Sequence, residues 1–334
     1  MYPFTDTFSE SVASPGERGL IEAIRGWLGG TAPRPPHGMG DDCAVLPARR
    51  EGGRRHGGGA RSGRRQLVTV DPVIYGQHFD DGVSPQNAGA KLLRRNLSDI
   101  AAMGGRPHSA VVALMLDGRV RMDWVEGFYR GMGRVARRYG VALVGGDVAA
   151  LPGGLAATLT LVGDAPSARG SRVLRRAGAR PGDFIYVTGR LGGSLASGRH
   201  FSFTPRLAEG AWLAGRREVR AMMDVSDGLA KDLFALTPAG CAPALVEAAL
   251  PRHRGCDTRA ALCDGEDYEL VLAVAARADR VGFEVAWRRN FPRLRLTCIG
   301  RFASAGGRLP PGALDLRAFH GFEHLCCRTD SRSE

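Results

Sequence analysis

The sequence predicts an α/β fold of two domains, with mixed sheets flanked by helices. Short apolar runs of strand length alternate along the chain with longer segments of helical periodicity, a pattern typical of this fold class. The chain has 334 residues, of which 44% are hydrophobic, and this length allows two domains with a core each. We expect the boundary at residues 164–170, which divides the chain into domains 1–165 and 166–334.

The elements of the first domain follow from apolar runs, which indicate strands, and from apolar positions three and four residues apart, which indicate helices. Gly140 is placed to cap the second helix. Residues 47–66 are rich in Gly and Arg and lack apolar periodicity, which predicts an inserted surface loop. Strands are expected at 66–70, 110–116, 141–144 and 157–162, and helices at 85–103 and 122–139.

The second domain begins with the turn Pro181-Gly182-Asp183, which leads into a strand at 184–188. Further strands are expected at 221–225, 242–246, 268–274 and 294–300. Helices are expected after Gly192, after Asp227 and at 276–288.

The net charge of +12 raises the question of nucleic-acid binding, which depends on neutralising phosphates with basic side chains. Half of that excess lies in one Gly-rich stretch, because residues 49–65 hold seven arginines and a single acidic residue, Glu51. No aromatic-interleaved basic motif accompanies these arginines. Nucleic-acid binding is therefore disfavoured.

The cysteines and the apolar runs indicate a soluble cytoplasmic protein. Seven cysteines occur without a C-x-x-C pair, so neither a disulfide framework nor a zinc site is expected. No stretch approaches the roughly 18 unbroken apolar residues of a membrane span. The first residues include Asp6, Glu10 and Glu17 and show no signal-peptide pattern.

Aspartates recur at the ends of short apolar runs. A single aspartate in such a place is more commonly a turn or cap residue, but a set of them on apolar scaffolds needs cations to offset repulsion and desolvation. Hard oxygen ligands select Mg²⁺ or Mn²⁺, and the substrate that such metal ions usually bind is a nucleotide polyphosphate. The segments are Gly40-Asp41-Asp42, Thr69-Val70-Asp71, Asn96-Leu97-Ser98-Asp99, Gly145-Gly146-Asp147 and Asp224-Val225-Ser226-Asp227-Gly228.

Local periodicity predicts where these side chains point. Along a strand, side chains alternate, so Thr69 and Asp71 share one face and Val70 lies on the other. Asp99 lies beside the buried stripe of its helix and can point towards Asp71. Asp227 can cap the next helix, whose N-terminus also favours phosphate.

The better-known nucleotide-binding motifs are missing. The chain has no G-x-x-x-x-G-K-[ST] loop, no G-x-G-x-x-G after a strand and no H-R-D or D-F-G set. It also lacks the G-x-S-x-G elbow of hydrolases.

As an ordered set, the motifs resemble those of the thiamine-monophosphate kinase family, which belongs to the superfamily of aminoimidazole ribonucleotide synthetase and selenide water dikinase. The resemblance covers nearly the whole chain and is specific as a set. It rests on Gly40-Asp41-Asp42-Cys43-Ala44-Val45-Leu46, Gly76-Gln77-His78-Phe79, Asn96 to Gly104, Gly145-Gly146-Asp147, Val187-Thr188-Gly189, Asp224 to Leu229 and Gly265-Glu266-Asp267-Tyr268-Glu269-Leu270.

The resemblance implies an aminoimidazole ribonucleotide synthetase-like fold, a homodimer paired through the N-terminal sheets, and phosphorylation of thiamine monophosphate by ATP, giving thiamine diphosphate. No catalytic residue is implied beyond a cluster binding several Mg²⁺ ions, because the acceptor is already a phosphate oxyanion. The implied metal ligands are Asp42, Thr69, Asp71, Asp99, Asp147, Asp224 and Asp227. The implied ATP-binding residues are Gly146, Asp147, Arg176 and Ser226, and the implied substrate-binding residues are His78, Glu266 and Phe322.

Two alternatives stay open at the level of sequence. One is a sister phosphotransferase or ATP-dependent ligase with the same nucleotide site and another acceptor. The other is a degenerate homologue that binds polyanions through the arginines of 49–65. The chain also departs from the family pattern at Val70, Val148 and Asp264, and the last places an extra carboxylate beside Glu266.

Overall fold

A computed structural model describes residues 7–11, 14–28, 33–46, 65–305 and 312–323. The predicted loop at 47–66 lies outside the described residues except for its last two positions. Two sheets, of five and six strands, are each backed by helices and by buried apolar side chains. The predicted class, α/β with mixed sheets flanked by helices, is confirmed.

The elements of the first sheet and its helices, in chain order, are α1 (Gly16–Leu28), β1 (Ala44–Leu46), β2 (Gln66–Ile74), α2 (Pro85–Ala102), β3 (Arg106–Leu116), α3 (Met122–Tyr139), β4 (Ala142–Ala150) and β5 (Leu155–Asp164). The strand order is β1–β2–β5–β3–β4, in which only the β3–β4 pair is parallel. The helices α2 and α3 pack against each other, and α2 also packs on the sheet, which buries Leu93, Leu97 and Ile100.

The opposite face of this sheet is open in the described part of the chain. Val70 is 57% exposed and lies in register with Thr160 of β5, which in turn faces Val111 of β3. The next row places Ala113 of β3 beside Asp147 of β4. We call this surface, formed by the outward residues of β2, β5, β3 and β4, the open sheet face. An open sheet face with exposed apolar side chains such as Val70 and Val111 is typical of an interaction surface.

The elements of the second sheet and its helices are β6 (Phe184–Thr188), α4 (Leu207–Ala214), β7 (Val219–Asp224), α5 (Leu229–Leu236), β8 (Cys241–Val246), α6 (Thr258–Cys263), β9 (Leu270–Val274), α7 (Arg280–Asn290), β10 (Leu296–Ser304) and β11 (Ala313–Leu314). The strand order is β11–β8–β10–β6–β9–β7, and all five pairings are antiparallel. The strands β6, β9 and β7 are almost wholly buried. None of the helices in the described residues is long and apolar enough to cross a membrane.

Most predicted elements are present, and Gly140 caps α3 in the left-handed conformation, as expected. The domain boundary stays a prediction.

The prediction of a helix after Gly192 is wrong. The chain forms turns there, followed by a 3₁₀ turn at Arg199–Phe201. Gly192, Gly193 and Gly198 all have positive φ, and a Cβ at Gly192 would lie 2.8 Å from the backbone nitrogen of Ala261. These left-handed glycines break helical geometry in this segment.

Several strands are longer than predicted, and two of them, β2 and β4, carry predicted site residues. Strand β4 continues to Ala150, so Gly146 and Asp147 lie within a strand and not at its end. Strand β2 likewise continues past Asp71 to Ile74. In both cases ladder pairing with a neighbouring strand extends the element beyond the apolar run that marks it in the sequence.

Candidate active site

Three of the predicted aspartates meet between the two sheets. Asp42 precedes β1, Asp99 lies in the last turn of α2, and Asp224 ends β7. One carboxylate oxygen from each lies within 4.8 Å of the others. We call Asp42, Asp99 and Asp224 the acidic trio. Carboxylate oxygens this close together could hold a divalent cation.

Neighbouring donors orient each carboxylate of the acidic trio. The Thr69 hydroxyl donates to Asp99 Oδ2 at 2.5 Å, and the Ser98 hydroxyl donates to Asp224 Oδ2 at 2.6 Å. Arg176 Nη2 lies 2.8 Å from Asp42 Oδ1. Thr69 and Asp71 occupy the face of β2 opposite the exposed Val70, as strand alternation predicts.

The acidic trio is costly to ionise without a cation. Burial, and then the charge of Asp71, raise the pKa of Asp99 well above its usual range. Burial, and then the charge of Asp42, raise the pKa of Asp224 to about 7. Asp42 Oδ2 is buried and has no hydrogen-bond partner in the described residues. An orphaned buried carboxylate oxygen beside two further carboxylates fits a bound Mg²⁺ or Mn²⁺.

The substitution Asp224→Asn should therefore stabilise the protein when no divalent cation is present. Between the ordinary aspartate pKa of 3.8 and about 7, the folded protein binds more protons at Asp224 than the unfolded chain does, so stability falls as pH rises. Because Asn does not ionise, the variant avoids this loss of stability at high pH. We expect thermal unfolding in EDTA at pH 8 to occur roughly 2–4 °C or more above wild type, with the difference shrinking towards pH 4. A variant that is less stable than wild type at pH 8 would contradict this.

The other predicted aspartate ligands, Asp71, Asp227 and Asp147, lie outside the acidic trio and have contacts of their own. Asp71 accepts from Arg95 Nη2 at 3.4 Å and acts on Asp99 electrostatically. Asp227 pairs with Lys231 at 2.9 Å. Asp147 is exposed on the open sheet face, and no contact among the described residues links it to the acidic trio.

The prediction that Asp227 caps the next helix is wrong. Gly228 is the N-cap residue of α5 and makes no side-chain cap bond. Asp232, inside the helix, instead accepts from the backbone N–H groups of Ser226 and Asp227 at 2.9 and 3.0 Å. A carboxylate one turn into the helix thus satisfies the N–H groups that precede it.

A cavity of about 330 Å³ opens beside the acidic trio. Its wall includes all three predicted substrate residues, His78, Glu266 and Phe322, together with Ser226 and Asp227. His78 and Glu266 are largely buried, whereas Phe322 is 41% exposed. The structure therefore places residues predicted for the acceptor and residues predicted for the metal on one continuous surface.

Glu266 is held in the cavity by buried cationic and aromatic neighbours. Lys91 is fully buried, and its Nζ lies 2.7 Å from Glu266 Oε2 and 3.0 Å from the backbone oxygen of His78. His200 Nδ1 lies 2.7 Å from the same Glu266 oxygen. Burial would raise the pKa of Glu266, but the bonds to His200 and Lys91 outweigh it and lower the pKa to about 2. Burial lowers the pKa of Lys91 to about 8 despite the charge of Glu266.

The backbone of this segment adopts an uncommon conformation. Glu266 and Tyr268 both have φ of 52°, a left-handed value that is rare for residues with side chains. Glu266 N–H donates to the Ser226 carbonyl at 2.7 Å and Tyr268 N–H to the Val225 carbonyl at 2.8 Å. These bonds fasten the segment to the end of β7, and such strain commonly accompanies a functional site.

The residues predicted for ATP are separated. Ser226 lines the cavity, and Arg176 contacts the acidic trio through its ion pair with Asp42. Gly146 and Asp147 lie on the edge strand β4. A Cβ at Gly146 would lie 1.9 Å from the Val112 carbonyl oxygen, so sheet packing alone requires glycine there.

Four residues of the cavity region were not identified from the sequence: Lys91, Arg95, His200 and Tyr268. Lys91 carries the one available signal, because a lysine within a buried helical pattern needs a partner. His200 comes from the segment that was wrongly predicted as helix.

Comparison with known proteins gives a consistent picture. Residues 40–165 match the family "AIR synthase related protein, N-terminal domain". The thiamine-monophosphate kinase of Salmonella typhimurium is 34% identical over 297 residues, which cover 80% of this chain and 84% of that protein.

Solved structures agree with the sequence comparison. The structure of AaThiL complexed with AMPPCP and TMP superimposes with a TM-score of 0.74 and 26% identity, covering 95% of this chain and 100% of that chain. The thiamine-monophosphate kinase of Stenotrophomonas maltophilia gives a TM-score of 0.65 at 32% identity, covering 75% and 87%. The chain belongs to the thiamine-monophosphate kinase family.

Proposed function

We propose that this protein transfers the γ-phosphate of ATP to thiamine monophosphate, giving thiamine diphosphate and ADP, as a step of thiamine diphosphate biosynthesis. The observation that carries the proposal is that the cavity and the acidic trio meet at the end of β7, since Ser226 and Asp227 line the cavity while Asp224, just before them, belongs to the trio. The activity named for its relatives, and the two ligands named for AaThiL, support this assignment.

The chemistry requires positioning more than proton transfer. The acceptor oxygen belongs to a phosphate and is already an oxyanion, so no general base is needed. The residues must bring two polyanions into line and keep water out. His78, Glu266 and Phe322 would hold the thiamine end of the acceptor in the cavity, with Glu266 fixed by Lys91.

The acidic trio would hold Mg²⁺, with Asp71 and Asp227 at its margin and Thr69 and Ser98 orienting the carboxylates. Bound Mg²⁺ supplies neutralisation of the phosphates and stabilises the charge that develops on the transferring group. Arg176 and Ser226 are proposed to contact ATP from the second domain. Among the described residues, Gly146 and Asp147 make no contact with the acidic trio or the cavity, and their roles towards ATP and metal are proposed from the resemblance alone.

The deciding experiment is product formation from ATP, Mg²⁺ and thiamine monophosphate, read by chromatographic separation of thiamine diphosphate. Free thiamine and a reaction without acceptor are the controls. Diphosphate formed only from the monophosphate supports the proposal. Hydrolysis or binding of ATP without that product would keep the nucleotide site and overturn the acceptor assignment.

We further propose a homodimer formed through the open sheet face, in which the N-terminal sheets of two copies meet. Val70 of β2 and Val111 of β3 are exposed on this face, and burial against a second copy would remove both from water. A cytoplasmic location is also proposed, and it agrees with the five cysteines of the described residues, all of which are free thiols.

The substitution Val111→Glu should abolish this dimer. A charge in the centre of a buried sheet interface is desolvated without a partner, which opposes association. We expect wild type to behave as a dimer and the variant as a monomer in size-exclusion chromatography with light scattering. Val281→Glu, at a 72% exposed position on α7, is the matched control and should stay dimeric. A dimeric Val111→Glu variant would place the interface elsewhere.

A further inference from the structure

Helix α2 presents three ionisable residues in a row between the cavity and the acidic trio. Lys91, Arg95 and Asp99 are spaced four apart, so they lie on neighbouring turns of one face, with about 6 Å of axial rise between them. Lys91 contacts Glu266 at the cavity, and Asp99 belongs to the trio. Arg95 therefore lies where the acceptor must meet the phosphate donor.

The contacts of Arg95 leave donors unused. Nη1 donates to the Pro72 carbonyl at 2.7 Å, and Nη2 lies 3.4 Å from Asp71 Oδ1. Nε is buried and has no partner among the described residues. The residue is 8% exposed and lines the cavity. A buried guanidinium N–H without an acceptor costs free energy, and this cost is recovered when an anion binds.

The other cations near the cavity are already engaged. Lys91 Nζ has Glu266, the His78 carbonyl and His200 around it and is fully buried. Arg176 is bound to Asp42 of the acidic trio. Among the described cationic side chains near the cavity, Arg95 is therefore the one that lies between the cavity and the acidic trio and has an N–H group without an acceptor.

We propose that Arg95 binds the phosphate of the acceptor and holds it for attack on the γ-phosphate of ATP. This inference rests on the proposed function. A guanidinium presents its N–H groups in a planar fork that matches phosphate oxygens, which an ammonium cannot do. The fixed charge also offsets repulsion between the two phosphates as they approach. Asp71 and the Pro72 carbonyl orient the fork from β2.

The test compares thiamine monophosphate with free thiamine in full-length wild type and in the variants Arg95→Gln and Arg95→Lys. Steady-state kinetics give KM for thiamine monophosphate and for ATP, and inhibition by free thiamine gives its Ki. We expect Arg95→Gln to raise KM for thiamine monophosphate about ten- to hundredfold, the range of a lost charge-assisted hydrogen bond. The Ki of thiamine, which has no phosphate, and KM for ATP should change less than about twofold.

Arg95→Lys should recover only part of the loss, because it restores charge without the fork. Arg119→Gln, on an 85% exposed side chain, controls for loss of a surface arginine. Equal weakening of thiamine and thiamine monophosphate in Arg95→Gln would mean that Arg95 only supports the cavity wall. If Arg95→Gln needed more Mg²⁺ but kept its KM for thiamine monophosphate, Arg95 would only neutralise the charge of Asp71. Both results overturn the inference while wild-type activity stands, whereas wild type that forms no thiamine diphosphate removes both proposals.

Discussion

The variant Asp224→Asn is expected to lose turnover by about a thousandfold or more at saturating ATP and thiamine monophosphate. Asn keeps the shape of the side chain but removes one formal charge from the acidic trio, and electrostatic stabilisation of this kind commonly contributes several kcal/mol to a transition state. Since the same change should stabilise the protein without divalent cations, the loss cannot be attributed to unfolding. Measurement of kcat over a Mg²⁺ titration checks the expectation.

The control for Asp224→Asn is Asp183→Asn. Asp183 is also buried but lies away from the cavity, where it accepts from the backbone N–H groups of Arg180 and Ala276. Its variant should retain kcat in the folded fraction. Asp71→Asn and Asp227→Asn should also reduce turnover strongly. Near-normal kcat in Asp224→Asn and Asp71→Asn at saturating Mg²⁺ would overturn the assignment of the metal site.

The variant Glu266→Gln is expected to combine a binding defect with a stability defect. It removes the carboxylate from the cavity wall, so KM for thiamine monophosphate should rise roughly tenfold or more while KM for ATP changes little. It also leaves the Lys91 ammonium buried without its anion, which typically costs about 3 kcal/mol or more. Kinetics with each substrate varied, together with denaturant unfolding, measure the two effects separately.

A double variant separates these two effects. Lys91→Met combined with Glu266→Gln removes both members of the buried pair and should recover much of the lost stability. It should not recover affinity for thiamine monophosphate. His78→Ala should likewise raise KM for the acceptor. If Glu266→Gln and His78→Ala raised KM for ATP instead, the two pockets would have been assigned the wrong way round.

Several features of the site follow from local sequence alone. Alternation along β2 correctly placed Thr69 and Asp71 on the inner face and Val70 on the outer face. Periodicity along α2 correctly placed Leu93, Leu97 and Ile100 in the core, with Asp99 beside them. These predictions succeed because the direction of a side chain within one element depends on its own backbone geometry.

Other features depend on pairings between distant segments. The extension of β4 put Asp147 in register with Ala113 on the open sheet face, whereas Asp71 lies in the row of Val112 on the face covered by α2. The side chain that accepts from the backbone N–H groups before α5 is Asp232, and not Asp227 as predicted. Neither outcome can be read from spacing, because each depends on which neighbour supplies the competing hydrogen bond.

The sequence by itself determined the fold class, the kinds of ligand available and the face on which most of them lie. Only the tertiary structure decided which carboxylates meet, that Lys91 and His200 hold Glu266, and that Arg95 lies between cavity and trio. The physical reason is the range of the interactions. Periodicity and capping act within a few residues, while the trio and the cavity join segments from both sheets whose relative positions are set by packing of the cores.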